Sequence, residues 1–348
     1  MRDTKLKTLA YRRILFVLLA GVTANLSASE NGKLVELGRQ IFNDTSLSRD
    51  GKISCNSCHD AAHAYADPHQ RSIGVDGKVG TRNAPSLIGI GADTSFTWDG
   101  RRTRLEDVVV DPFTNPVEFG LSSTDEVVQR LRKEPGRVEA FRAAFPHARE
   151  YPTIEQVAVS LGNFVRSLNA KDNARNQIQL DRVPVQVQLG ARLFDGVAGC
   201  NVCHTHSEAS ARFADGKYHH SGVGDATQSK QLPELVQVVL QQNLPASAIG
   251  PKVLGDAEWS ALGRFVVSHS PVDIGAFRTP SLRNVAVTAP YMHDGSIATL
   301  AEAVDHEIYY RGFSSGHPIN LTQAERQAIV SFLETLVDRD YAAKFSAP

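Results

Sequence analysis

All four cysteines of the 348-residue sequence fall in two Cys-x-x-Cys-His pentads, Cys55-Asn56-Ser57-Cys58-His59 and Cys200-Asn201-Val202-Cys203-His204. Two thiols at this spacing reach both vinyl groups of one porphyrin, and an imidazole directly after them binds the iron from the same side. A redox-active dithiol pair or a zinc knuckle would use the same thiols. Neither needs a histidine after the second cysteine, and one follows both times. An all-cysteine zinc site would also have to unite pairs about half a chain apart. The spacing therefore implies two covalently attached haems of the c type, with His59 and His204 as iron ligands.

Two haem loops need elements to hold them, and the text around them repeats. Leu37-Gly38-Arg39-Gln40-Ile41-Phe42-Asn43 precedes the first pentad, and Leu189-Gly190-Ala191-Arg192-Leu193-Phe194-Asp195 precedes the second. Each reads as a short helix running into a haem loop, with Leu34, Leu37 and Ile41 at helical spacing. The repeat implies two cytochrome-like domains, residues 30–180 and 187–345, with a boundary near 172–186. Capping boxes mark further helices: Ser123 with Glu126, Thr153 with Gln156, Thr299 with Glu302, and Thr322 with Glu325. Long Gly-, Asp- and Pro-containing loops separate them, so the expected fold is mainly α. Residues 1–28 read as a secretory signal peptide. Arg2, Lys5, Lys7, Arg12 and Arg13 come first, Ile14 to Ala24 is an apolar run too short for a typical span, and small residues follow. Export agrees with haem attachment outside the cytoplasm, and the mature chain is expected in the periplasm without a stable membrane span. A hydrophobic content of 42% is ordinary for a globular chain, and a formal net charge of −1 gives no reason to expect nucleic acid as a partner.

Further motifs go beyond haem attachment. In chain order they are Arg82-Asn83-Ala84-Pro85-Ser86, Phe96-Thr97-Trp98-Asp99-Gly100-Arg101, Asn115-Pro116-Val117-Glu118, Thr279-Pro280-Ser281-Leu282-Arg283-Asn284-Val285 and Thr288-Ala289-Pro290-Tyr291-Met292-His293-Asp294-Gly295. With the Leu-Gly-x-x-x-Phe helices, this set resembles the bacterial di-haem cytochrome c peroxidase and MauG superfamily from about Leu34 to Val337. The resemblance implies a peroxide-reacting haem on His59 and an electron-transfer haem on His204. It places Trp98 between the haems as an electron relay. It places Glu118 on the distal side of the first haem, where a carboxylate can move a proton between peroxide oxygens. It further implies a calcium site from Asn83 and the carbonyls of Thr288 and Pro290, and a haem propionate as the partner of Arg283, whose alternative is a surface salt bridge.

The departures from that pattern are informative. Ordinary peroxidases of the superfamily end a Ser-Ile-Gly-His turn with a histidine that blocks the first haem, whereas this turn reads Ser72-Ile73-Gly74-Val75. Valine cannot bind iron, so the first haem is expected to be open. His63 and His69 are the substitutes to consider, and a surface or core role is the better reading for both. Val108 stands ten residues before Glu118 where the pattern often has Gln. On the second haem the pattern's Met, fourteen residues after His293, is replaced by Glu307. Three residues compete for the sixth ligand. Glu307 keeps the register, Tyr310 shares its helix face, and Tyr309 needs a two-residue insertion because an unbroken helix turns it about 160° away. A tyrosine is favoured narrowly, since phenolate is the better-attested haem ligand, with His306 as a weaker option. His219 and His220 read as part of a polar loop near the second haem.

Losing the blocking His and the Met points to the MauG-like branch, in which hydrogen peroxide oxidises a shared di-haem system. That system then oxidises a side chain, Trp above all, on a periplasmic partner protein. Two alternatives stand beside it: an ordinary di-haem cytochrome c peroxidase fed by a small cytochrome or cupredoxin, and a non-enzymatic di-haem electron carrier.

Overall fold

A computed structural model describes residues 28–168, 182–206, 212–224 and 230–342. All but the last residue of the expected signal segment, and most of the expected 172–186 boundary, lie outside the described residues. The longer helices are α1 (Ala28–Phe42), α2 (Thr124–Arg132), α3 (Pro135–Ala144), α4 (Ile154–Ser167), α5 (Val185–Asp195), α6 (Leu232–Gln242), α7 (Ala246–Gly255), α8 (Leu300–Ser315) and α9 (Gln323–Glu334). Strands β1 (Tyr218–His220) and β2 (Ala276–Arg278) pair antiparallel, with Tyr218 opposite Arg278 and His220 opposite Ala276. The protein is mainly helical, as the sequence implies.

The internal repeat has a packing cause. Leu34, Leu37 and Ile41 form one buried stripe of α1, which crosses α4 and meets Val157, Leu161 and Phe164. At the crossing the helices nearly touch: a methyl group on Gly38 would lie 2.0 Å from the Ser160 carbonyl oxygen and 2.8 Å from Phe164 Cβ. The same contact recurs between α5 and α9, where a methyl on Gly190 would meet the Ala328 oxygen at 1.9 Å and Phe332 Cβ at 2.9 Å. Any side chain at either glycine would push its helix pair apart. Around the second crossing, Val187, Ala191 and Phe194 pack with Ile329, Phe332 and Leu333.

Reciprocal capping boxes form at Thr153/Gln156, Thr299/Glu302 and Thr322/Glu325. The box expected at Ser123 does not. Helix α2 starts there, but the Ser123 side chain caps nothing, and Glu126 instead accepts from the Ser122 N–H at 3.2 Å and hydroxyl at 3.1 Å. The acidic side chain still satisfies a backbone donor at the helix entrance, one residue earlier.

A third core belongs to neither crossing. Helices α6 and α7 and the short helices Ala257–Ala261 and Phe265–Ser268 enclose Leu235, Val239, Ile249, Val253, Trp259 and Phe265. This cap lies in the C-terminal half of the sequence yet is bonded to the N-terminal half. Thr81 donates to the Val253 carbonyl, and Arg82 donates to the Ser260 hydroxyl and carbonyl, both at 3.0 Å. In return Arg264 donates to the carbonyls of Asp99 and Gly100, both at 3.0 Å. Donors from one half thus satisfy carbonyls near the ends of short cap helices, which have no intrahelical partner.

Candidate haem sites

The two attachment loops are built alike. Each opens on a single 3-10 turn, Cys55–Ser57 and Cys200–Val202, and the His59 and His204 N–H groups each bond the carbonyl of the first cysteine at 2.9 Å. His59 Nδ1 lies 3.0 Å from the Tyr65 carbonyl oxygen, and His204 Nδ1 lies 2.9 Å from that of Phe213. Both carbonyls belong to aromatic residues in left-handed backbone, at φ 57° and 53°. A carbonyl can only accept, so it fixes the proton on Nδ1 and leaves the Nε2 lone pair for a metal. Burial lowers both imidazoles, His204 to about 4, so each is a neutral ligand at pH 7. Burial also pushes the Cys55 and Cys58 thiols up to about 12 and Cys200 to about 11. Thiols that resist ionisation suit thioether links better than thiolate chemistry.

Beside the first loop lies a cavity that opens to solvent, with about 1450 Å³ of empty space counted out into its opening. Cys55, Cys58 and His59 form one wall, and Glu118, Trp98 and Val108 line it elsewhere among mostly apolar side chains. A mostly apolar slot, partly open to solvent, next to an imidazole with a free Nε2 fits a porphyrin. Arg82, Arg101 and Arg278 also line the slot. Arg82 and Arg101 share Asp99 at 2.7 and 2.9 Å, and Arg278 bonds Asp93 at 2.8 Å. Burial works to raise the Asp99 carboxyl, but the flanking guanidiniums outweigh it and hold it well below the usual range. Among the described residues the buried Nε atoms of Arg101 and Arg278 have no partner, which leaves donors to receive haem propionates. The sequence motifs contain Arg82 and Arg101, but periodicity could not show that they face a cavity.

Glu118 stands on the cavity wall with its backbone clamped: its N–H bonds the Asn115 carbonyl at 3.1 Å, and its carbonyl accepts from the Val75 N–H at 2.8 Å. Burial pushes its carboxyl up to about 7, and nearby Arg101 only partly offsets that. Val75 is fully buried, with a methyl packed toward Gly120, and does not line the cavity. His63 pairs with Asp60 at 2.7 Å and His69 with Asp67 at 3.0 Å; neither lines the cavity. Trp98 donates its indole N–H to the Asn83 carbonyl at 2.9 Å, and its own carbonyl accepts from Arg278 of β2 at 2.9 Å. One edge meets the His293 ring at 6.4 Å, and His293 in turn stacks on Phe277 at 3.6 Å. Trp98 therefore joins the first cavity to the sheet whose other strand follows the second haem loop.

On the second loop, Arg311 of α8 points a guanidinium nitrogen at Cys203 Sγ, 3.8 Å away. Helix α8 is unbroken, so Glu307, Tyr310 and Arg311 share the inward side while Tyr309 is 73% exposed and faces out. The Tyr310 ring lies parallel to His306 at 6.2 Å and presses against Gly222. His306 Nε2 bonds the Ser221 carbonyl at 2.6 Å. His219 bonds Asp215 at 2.8 Å, and His220 bonds the Ile274 carbonyl at 3.0 Å. As neighbours in β1 the two point to opposite faces. The Arg283 guanidinium is paired with Asp338, which also accepts from Asn284 at 2.9 Å. At 10% and 7% exposure this is an internal pair rather than a surface bridge, and the buried Arg283 Nε has no partner among the described residues.

The sequence assigned everything after residue 187 to the second haem, yet Leu254 and Arg278 line the first cavity. Nothing local in the sequence marks this crossing. Among the described residues no helix is long and apolar enough to cross a membrane.

Comparisons with known proteins identify the family. The family described as di-haem cytochrome c peroxidase matches residues 32–182. The chain is 31% identical over 318 residues to cytochrome-c peroxidase IdrP2 of Denitromonas iodatirespirans, covering 88% of this chain and 82% of that one. It is 30% identical over 312 residues to methylamine utilization protein MauG of Methylorubrum extorquens, covering 87% and 77%. A solved MauG-like protein associated with microbial copper homeostasis superposes with a TM-score of 0.71 at 29% identity, over 91% of this chain and 93% of that one. With two haem-attachment loops, a carboxylate beside the first and relatives of both kinds along most of its length, this chain belongs to the di-haem cytochrome c peroxidase and MauG family of haem enzymes that use peroxide.

Proposed function

We propose that this enzyme works in the MauG-like manner, using hydrogen peroxide to withdraw electrons from an aromatic side chain, Trp foremost, of a periplasmic partner protein. The observation that carries this reading is the undefended Glu118 side of the first cavity. Val75 is packed away and neither His63 nor His69 lines the cavity, so none of these three stands in the way of peroxide. Bound haem supplies the redox-active iron at which peroxide is reduced.

Glu118, near pH 7 in both protonation states, takes a proton from one peroxide oxygen and returns it to the other. The clamped Glu118 backbone holds the carboxylate in position. Trp98 carries the electron between the two haem sites, its indole fixed by the Asn83 carbonyl. At the second haem site, Glu307 rather than a tyrosine would be the side chain available to a bound iron. Its side chain makes no hydrogen bond or ion pair among the described residues, and its charge is felt by both Cys200 and Cys203. Tyr310, by contrast, is already seated between His306 and Gly222. A calcium ion from Asn83 and the carbonyls of Thr288 and Pro290 belongs to the same proposal. The Asn83 side-chain nitrogen is tied to the Asp67 and His69 carbonyls at 3.1 and 2.8 Å, which turns the amide oxygen away from them as a donor.

Relatives carry peroxidase and MauG names alike, so the competing reading is a cytochrome c peroxidase. The two separate on the electron source. Incubating the holoenzyme and peroxide with periplasmic extract should leave one partner protein with an oxidised Trp detectable by mass spectrometry. Rapid turnover with reduced cytochrome c and no modified partner would favour the peroxidase instead.

A further inference from the structure

On the wall of the first cavity beside Glu118, small residues flank one branched side chain. Val117, next to Glu118, stands between two glycines. A methyl on Gly80 would lie 3.9 Å from Val117 Cγ1, and a methyl on Gly255 would lie 3.9 Å from Val117 Cγ2. Neither glycine has left-handed backbone, and neither methyl would collide, the tightest contact being 3.6 Å from Gly80 to the Ser72 carbonyl. Gly74, a few residues away, is different: a methyl there would meet the Val117 carbonyl at 1.9 Å. Gly74 is thus required by close packing, whereas Gly80 and Gly255 preserve space that an alanine would fill.

That space leads inward. Gly255 is exposed at the end of α7, Leu254 and Val117 are half-buried, and Gly80 is buried on the cavity wall. Exposed Ile73 and Val79, at 43% and 59%, adjoin Gly74 and Gly80 in the chain and pair with each other. We propose that the gap between Gly80 and Gly255 across Val117, closed on its cap side by Leu254, is a size filter that admits hydrogen peroxide to Glu118 and excludes bulkier hydroperoxides. The filter is shared between the halves, since Leu254 and Gly255 come from the cap. It rests on the reading that Glu118 marks the peroxide side.

In an apolar passage, one methylene changes discrimination by roughly tenfold or more. The test uses holoenzyme and two probe pairs: hydrogen peroxide against tert-butyl hydroperoxide, and cyanide against imidazole as ligands of the first haem. Wild type should favour the small member of each pair. Leu254→Ala should narrow both ratios on the order of tenfold, and Gly255→Val should widen them by a similar factor. Because Leu254→Ala could loosen the cap core, Gly80→Ala, whose added methyl makes only ordinary contacts, serves as a second variant that constricts the gap and should widen both ratios. Ratios unmoved by all three variants would overturn the filter. If cyanide and imidazole are discriminated as expected while neither peroxide reacts, the filter stands and the peroxide function fails.

Discussion

At the scale of single residues, chemistry depends on how far burial moves a group from its value in water. Glu118 is the clearest case, because burial brings its carboxyl to about 7. Its base form grows as pH rises through that value, so the rate of reaction with peroxide should climb through pH 7 and level off above it. Glu118→Gln should lower the rate constant on the order of 10²- to 10³-fold and flatten that profile, as stopped-flow measurements would show. A pH-independent wild type would remove Glu118 from proton transfer. At the second haem, Glu307→Ala should change the ferric spectrum, while Tyr310→Phe and Tyr309→Phe leave it intact. A phenolate signature in resonance Raman spectra, lost in either Phe variant, would return the ligand to tyrosine. The haem-binding Cys and His residues were legible in sequence because a covalent motif is local. The arginines of the first cavity and the Arg283–Asp338 pair were not, since partners 17, 55 and 185 residues away decide what a guanidinium does.

At the scale of elements, the sequence was most readable where a short pattern has one physical meaning. Three of four capping boxes formed because both members of the box lie within one turn. The exception, Ser123, shows that competing neighbours such as Ser122 can take the acidic partner. The Leu-Gly-x-x-x-Phe repeat was visible, but the reason for its glycine was not, because the colliding carbonyl belongs to a helix more than a hundred residues away. Gly190→Ala should therefore destabilise the α5–α9 crossing by about 1–3 kcal/mol, the usual cost of overpacking, as a lower midpoint in denaturant unfolding. An unchanged midpoint would mean that the crossing tolerates the added methyl.

At the scale of the whole molecule, the sequence suggested two successive haem domains, and the structure adds a cap that returns from the second half to the first. Its own core, and its bonds to Thr81, Arg82 and the loop before Arg101, make the first cavity a joint product of both halves. Such a crossing leaves no periodic signal, since cap helices look alike whichever surface they cover. Trp98, tied to β2 on one side and facing the cavity on the other, lies where the two halves exchange electrons in this account. The central claim is that both haems share the oxidising equivalents of one peroxide while the first stays open. It is tested most directly by EPR and electronic spectra of the ferric holoenzyme before and after one equivalent of hydrogen peroxide. The account predicts one haem without a protein sixth ligand at the start, then a long-lived change in both haem signals. Two six-coordinate low-spin haems that ignore peroxide would contradict it and reduce the protein to an electron carrier.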